Sequence, residues 1–267
     1  VVASFSILGD VAQQIGGERV AVQSLVGANQ DAHAYNLTSS DIKKIREARL
    51  VLLNGLGLEK AELQRAVKQS KVASAEATAG IKPLAADEHH HEHNHGHDHD
   101  HGEFDPHVWN DPVLMQRYAA NVAIALIKAD PAGSRYYQQR FKDYQNVLNQ
   151  LNNYANQQFG AVAPAKRKVL TGHDSFAYLG KRYQVKFISP QGVSSEAEPS
   201  ARQIAAIIRQ IKAENVKAVF TENIKDGRMI ARIAKETGVK VSGGLYADAL
   251  SSGAPAGTYA DMFRYNV

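Results

Sequence analysis

Residues 132–159 read as one continuous helix, and that single stretch constrains the architecture of everything around it. Tyr136, Phe141, Tyr144, Leu148 and Leu151 recur at helical spacing, Gln, Asn, Lys and Arg fill the other faces, and no proline or glycine interrupts beyond the ends. At 1.5 Å per residue such a helix runs about 42 Å, enough to cross a molecule of two domains. Asp130 and Pro131 interrupt the chain before it and Pro164 closes it. The aromatic stripe is read as core packing rather than as a ligand site.

On both sides of this helix, strand and helix alternate. Before it come strands at 1–7, 20–26 and 50–54, a helix at 8–15, one capped by Ser39, Ser40 or Asp41 and running to about 48, an amphipathic one at 59–68, and a helix opened by Pro112 that reaches about 128. After it come strands at 168–171, 186–189 and 218–221, with helices at 176–183, 201–214 and 226–237. Alternation of this kind builds parallel sheets flanked by helices. The fold expected is therefore α/β: two similar parallel-sheet lobes joined by one long rigid helix. Residues 1–130 form the N-terminal lobe, 131–161 the linker helix and 162–267 the C-terminal lobe. A cleft between lobes is where a ligand sits.

Residues 87–103, DEHHHEHNHGHDHDHGE, hold eight of the chain's 11 histidines: His89, His90, His91, His93, His95, His97, His99 and His101. The run is too hydrophilic for a core. Its imidazoles and carboxylates offer donors suited to zinc, copper or nickel. A purification tag is normally terminal and uninterrupted, whereas this run is internal and alternates with Asp, Glu, Asn and Gly. So polar a segment collects ions better than it fixes one geometry, which places the specific site elsewhere.

Composition narrows the field. Cysteine is absent, which removes disulfides and thiolate sites. The formal charge is +4, with basic residues scattered rather than blocked, so no nucleic acid partner is expected. Apolar runs such as 50–53 and 216–220 are strand-length, far below the roughly 20 residues needed to span a bilayer. The opening residues, VVASFSILGDVAQQIGG, read as a strand entering a helix with no signal sequence ahead of them, as in the processed form of an exported protein.

Outside the histidine run only His33, His107 and His173 remain, each in a loop at the mouth of an α/β element: GANQDAHAYNLTSSD, EFDPHVWNDP and LTGHDSF. If the lobes face each other, the three meet across the cleft. A fourth donor is then needed. Asp248 in GGLYADALS is the best candidate, with Asp174 and Glu222 as alternatives that spacing does not exclude. Asp105, Asp111, Asp174 and Glu222 are candidates for holding the outer nitrogen of a ligating ring. The NGLGLE segment from Asn54 carries too few glycines for a dinucleotide fingerprint and reads as a turn.

The stretches DAHAYNLTSSD, DPHVWNDP, TGHDSFAYLGKRY, SPQGVSSEAEPSARQ and LYADALS together resemble the metal-specific solute-binding proteins of bacterial ABC transporters, which carry zinc or manganese to a membrane permease. The resemblance spans the whole chain. It implies metal ligands at His33, His107, His173 and Asp248, two from each lobe, and a rigid helix between the lobes. Manganese-type members carry a glutamate where this chain has His173, so the resemblance points to the zinc type. Three imidazoles and one carboxylate also suit Zn2+ better than Mn2+.

The function expected is high-affinity capture of Zn2+ in the periplasm and delivery to an ABC permease. A periplasmic metal chaperone acting on the histidine run and a monomeric state are further expectations. The alternatives are a manganese or iron carrier of the same family, a metal buffer in which the histidine run alone is active, and a zinc hydrolase or hydratase with an open three-histidine site. The last lacks an HExxH motif or an evident general base.

Overall fold

The computed structural model describes residues 1–86, 103–192 and 198–267. Each half of the chain forms a four-stranded parallel sheet. In the first, β1 (Val2–Phe5) lies between β2 (Gln23–Val26) and β3 (Val51–Leu53), and β4 (Ser74–Glu76) pairs outside β3. In the second, β5 (Lys168–Leu170) lies between β6 (Lys186–Ile188) and β7 (Ala218–Glu222), with β8 (Gly243–Leu245) outermost. The strand order is the same in both.

Parallel neighbours cannot be joined by a tight turn, so a helix crosses over between each pair of consecutive strands. These are α1 (Ser6–Gly16), α2 (Ser39–Glu47) and α3 (Ala61–Ser70) in the first lobe. Their counterparts in the second, numbered in chain order, are α6 (Ala177–Tyr183), α7 (Ala201–Glu214) and α8 (Arg228–Thr237). In sequence between the two sheets come α4 (Leu114–Ala129), packed on the first, and the long α5 (Ser134–Gly160), and α9 (Tyr259–Asn266) follows β8.

At 27 residues α5 extends about 40 Å. It starts two residues later than the sequence pattern predicts, because Pro131–Gly133 forms a short 3-10 turn. Its buried face is also shifted. Tyr137, Tyr144, Leu148, Leu151 and Ala155 point into the core, whereas Tyr136 and Phe141 are only half-buried. Two adjacent tyrosines fit the periodicity almost equally well; Tyr136 instead accepts a hydrogen bond from the Glu18 N–H, at 2.9 Å, and lies under the Arg140 guanidinium.

Through this face α5 packs on α1 and α4 in the first lobe and on α6 and α9 beyond it. One apolar cluster therefore runs unbroken from Phe5, Trp109 and Tyr118 to Phe176, Leu245, Tyr259 and Phe263. Smaller clusters around Leu170, Val219 and Ile233 and around Ile45, Val51 and Val67 complete the lobes. No helix among the described residues is long and apolar enough to cross a membrane.

Local differences from the sequence reading have identifiable causes. The cap of α2 is Thr38, which accepts from the Asp41 N–H while Asp41 accepts from the Thr38 N–H. Glu59 does not enter α3; its carboxylate turns inward to accept from the Asn54 and Gly55 N–H groups and from Ser4 Oγ. The turn that allows this needs Gly55 at a φ of 87°. Strand β4 and helix α9 were not anticipated. β4 is a mostly exposed edge of three residues, Ser-Ala-Glu, too short and polar to stand out, and α9 is announced only by its Thr258 cap and the apolar trio Tyr259, Met262 and Phe263.

Leu148 is fully buried at the centre of α5, while Gln150, two residues on, is exposed. Leu148→Ala is expected to cost about 2–5 kcal/mol in urea unfolding of the ion-free protein. Gln150→Ala should stay within about 0.5 kcal/mol of wild type.

Candidate metal centre

Both sheets present the carboxyl ends of their strands to the cleft, and four loops leave those ends to meet there. His33 lies in the loop after β2, His107 in the segment between β4 and α4, His173 directly after β5, and Asp248 after β8. The structure brings all four together: one donor atom from each lies within 4.8 Å of every other, and all four residues are buried. Neither Asp174 nor Glu222, the alternative fourth donors, belongs to this group.

The separations are those of one small coordination sphere. His33 Nε2 is 3.1 Å from His107 Nε2 and 2.9 Å from Asp248 Oδ2. His173 Nε2 is 3.2 Å from Asp248 Oδ2, and His107 Nε2 is 3.3 Å from Asp248 Oδ1. A tetrahedron of donors at 2.0–2.1 Å from an ion has edges of roughly 3.3–3.4 Å, close to these values. Asp248 Oδ1 is fully buried and no hydrogen bond reaches it, since the His107 ring at 3.3 Å is not aligned to donate. A cation at the centre would satisfy that oxygen, so the residues present fit a bound divalent ion.

Each ring is aimed from behind. Asp105 Oδ1 accepts from both the backbone N–H and the Nδ1 of His107, at 2.9 and 2.7 Å. Glu222 Oε2 lies 2.7 Å from His173 Nδ1, and its other oxygen accepts from Ser175 Oγ at 3.2 Å. With the Nδ1 protons so engaged, both rings turn Nε2 to the centre, where loss of its proton would free a lone pair for an ion. Gly172 belongs to this arrangement: a Cβ there would lie 3.0 Å from the Glu222 carboxylate. The Asp31 carboxylate accepts from the His33 N–H at 2.9 Å, closing the tight turn that points this residue inward.

Of the four acidic residues considered as ring partners, Asp105 and Glu222 act as such. Asp111 instead accepts from the Val113 N–H at 2.8 Å just ahead of α4 and pairs with Arg182 at 2.9 Å. The Asp174 N–H donates to the Gln191 and Gly192 carbonyls, at 3.1 and 2.9 Å. Asn54 was read only as part of a turn, yet its amide donates to the Pro106 carbonyl, at 3.1 Å, and accepts from Tyr118 Oη at 2.9 Å, bracing the His107 loop. Its signal was present as a lone polar residue ending a buried strand. The auxiliary histidines, His89, His90, His91, His93, His95, His97, His99 and His101, lie outside the described residues.

Electrostatics at the centre are set by one anion among three imidazoles. Burial opposes charge on His107 most strongly, but Asp248 and Asp105 together overcome it and hold the ring up at about 9. His173 is likewise raised well above its ordinary value: burial is outweighed by Glu222 and Asp248. For Asp248, burial pushes upward, yet His107, His173 and His33 draw it well below the usual carboxylate range.

A profile of the family described as zinc-uptake complex component A, periplasmic, matches residues 1–267. The manganese-binding lipoprotein MntA of Bacillus subtilis (strain 168) is 32% identical over 277 residues, covering all of this chain and 87% of the relative. The iron-binding protein YfeA of Yersinia pestis is 29% identical over 268 residues, again covering all of this chain and 83% of the relative. Among solved structures, the periplasmic zinc binding protein TroA from Treponema pallidum superposes with a TM-score of 0.90 at 26% identity. That match covers 99% of this chain and 95% of the other.

Because His107 in the ion-free protein titrates at about 9, above the roughly 6.5 of an unfolded histidine, its ion pairs stabilise fully below pH 6.5. That contribution disappears as pH rises through about 9. A divalent ion must displace the same protons. Calorimetric titration with Zn2+ in buffers of different ionisation enthalpy is expected to show proton release at pH 7, and affinity that climbs toward pH 9.

Proposed function

The chain belongs to the family of zinc-uptake complex component A, the periplasmic metal-binding proteins that serve ABC transporters, and we propose that it captures Zn2+ outside the cytoplasm and delivers it to a membrane permease. One observation carries the reading: three imidazole nitrogens converge on one fully buried carboxylate, with His33 and His173 Nε2 at 2.9 and 3.2 Å from Asp248 Oδ2 and His107 Nε2 at 3.3 Å from an Oδ1 that has no hydrogen bond. In this reading His33, His107, His173 and Asp248 are the ligands, and nothing is chemically transformed. Asp248 fills the fourth position that a hydrolytic zinc site would leave to water.

Zinc is favoured over manganese or iron by the donors themselves, since three neutral imidazoles and a single carboxylate form a nitrogen-rich set, while manganese prefers more oxygen. The names of relatives do not choose, because they cover manganese, iron and zinc. That range keeps a manganese or iron carrier as the second reading. The histidine-rich residues 87–103 would raise the local ion concentration or accept ions from a chaperone.

For release, residues 1–130 and 162–267 act as the two lobes and 131–161 as the link, in a protein that works as a monomer. The apolar cluster that runs across both lobes makes wide opening costly, so movement of a ligand loop is the cheaper route.

Native mass spectrometry of protein purified without added metal, combined with elemental analysis, is expected to find one zinc per chain. Stoichiometric manganese or iron in its place would overturn the choice of metal. Each of the four single alanine variants should lose the tight site, and deletion of residues 89–101 should keep it.

A further inference from the structure

We propose that Trp109 and Asn110 are positioning residues that bind the ligand loops of the two lobes to one another and so set how slowly the ion leaves. The inference rests on the metal-binding reading above and adds to it the element that controls dissociation.

His107 opens directly into a 3-10 turn, Val108–Asn110, whose three residues are all buried. The two side chains that follow Val108 both reach across to the second lobe. Trp109 Nε1 donates to the Ala247 carbonyl at 2.8 Å, and Ala247 immediately precedes Asp248. Asn110 Nδ2 donates to the Ser175 carbonyl at 2.7 Å, two residues after His173. A single turn therefore carries one donor to the centre and holds the backbone beside two others.

Trp109 has little freedom to do anything else. Its ring lies 5.1 Å from Phe5 on one side and 5.1 Å from the His107 imidazole on another. Its own carbonyl accepts from Tyr259 Oη at 2.5 Å. Ring, N–H and carbonyl are all engaged, so the indole cannot follow if the Asp248 loop moves outward. Such a movement would break the bond to Ala247 and leave a buried carbonyl and a buried N–H without partners. The contact therefore favours the closed arrangement and opposes the step by which the ion departs. Entry, governed by encounter and by proton displacement, is left largely unchanged.

Zinc release into excess chromophoric chelator, followed by stopped flow, tests this on the full chain. Trp109→Phe keeps an aromatic ring and removes the N–H; Asn110→Ala removes the second link. Tyr183→Phe is the control, because it removes a side-chain hydrogen bond, to Asn152 at 2.9 Å, that does not touch a ligand loop. Release is expected to accelerate about 10–100-fold in Trp109→Phe and Asn110→Ala, the range found for outer-shell partners, and to be unchanged in Tyr183→Phe. Association rates should change much less than release rates. Should Trp109→Phe fail to fold, Asn110→Ala alone must show the acceleration. Unchanged release in the folded variants, or equal acceleration in Tyr183→Phe, overturns the proposal. Failure of the wild-type protein to retain one divalent ion of any kind would instead remove the metal-binding reading beneath it.

Discussion

A carboxylate with no exposure to solvent faces three imidazoles, and the rest of the molecule is arranged to make that tenable. Removing an isolated carboxylate from water costs several kcal/mol even after relaxation, and only close partners offset it. Asp248 finds those partners on loops from both sheets, so neither lobe supplies a satisfactory environment alone. The identical strand order of the two sheets follows as a geometric solution. Parallel strands send all their outgoing loops to one edge, and two such edges facing each other can surround a point.

The same reasoning extends outward by one layer. Asp105 and Glu222 are buried acids, each tied to the Nδ1 of a histidine at the centre, so the centre is an alternation of carboxylate, imidazole and carboxylate rather than a lone cluster. Glu222 sits at the last position of β7 and is thereby fixed by the sheet itself. Asp105 is fixed differently: its N–H donates to the Leu84 carbonyl, and its own carbonyl accepts from Tyr178 Oη in the second lobe. The chemistry of the site is thus connected to the packing between lobes through bonds that can be named individually.

The sequence made much of this legible, for physical reasons that also explain the gaps. Strand and helix alternation revealed two parallel sheets because buried parallel strands are short continuous apolar runs that differ plainly from amphipathic helices. The three loop histidines stood out because so few lay outside the histidine-rich run. Choosing Asp248 over Asp174 or Glu222 rested on resemblance, since each acid lies at or just beyond the carboxyl end of a strand and only the folded chain shows which reaches the centre. Tyr136 was taken for Tyr137 because adjacent residues lie only 100° apart around a helix. Asn54 and Trp109 escaped notice as functional positions. Their importance lies in backbone carbonyls 52 and 138 residues away, which no local pattern encodes.

Helix α9 ties together stretches far apart in sequence. The N–H of Tyr259 donates to the Asp10 carboxylate across a separation of 249 residues, and the hydroxyl of the same tyrosine reaches the Trp109 carbonyl. Contacts that close so long a loop form late in folding, since most of the chain must already be ordered to lower their entropic cost. Assembly of the cage is consequently coupled to docking of α9: until that helix is in place, the backbone leading to Asp248 lacks the two hydrogen bonds that Asn266 makes with Tyr246. The receptacle is therefore finished only once stretches far apart along the chain have met.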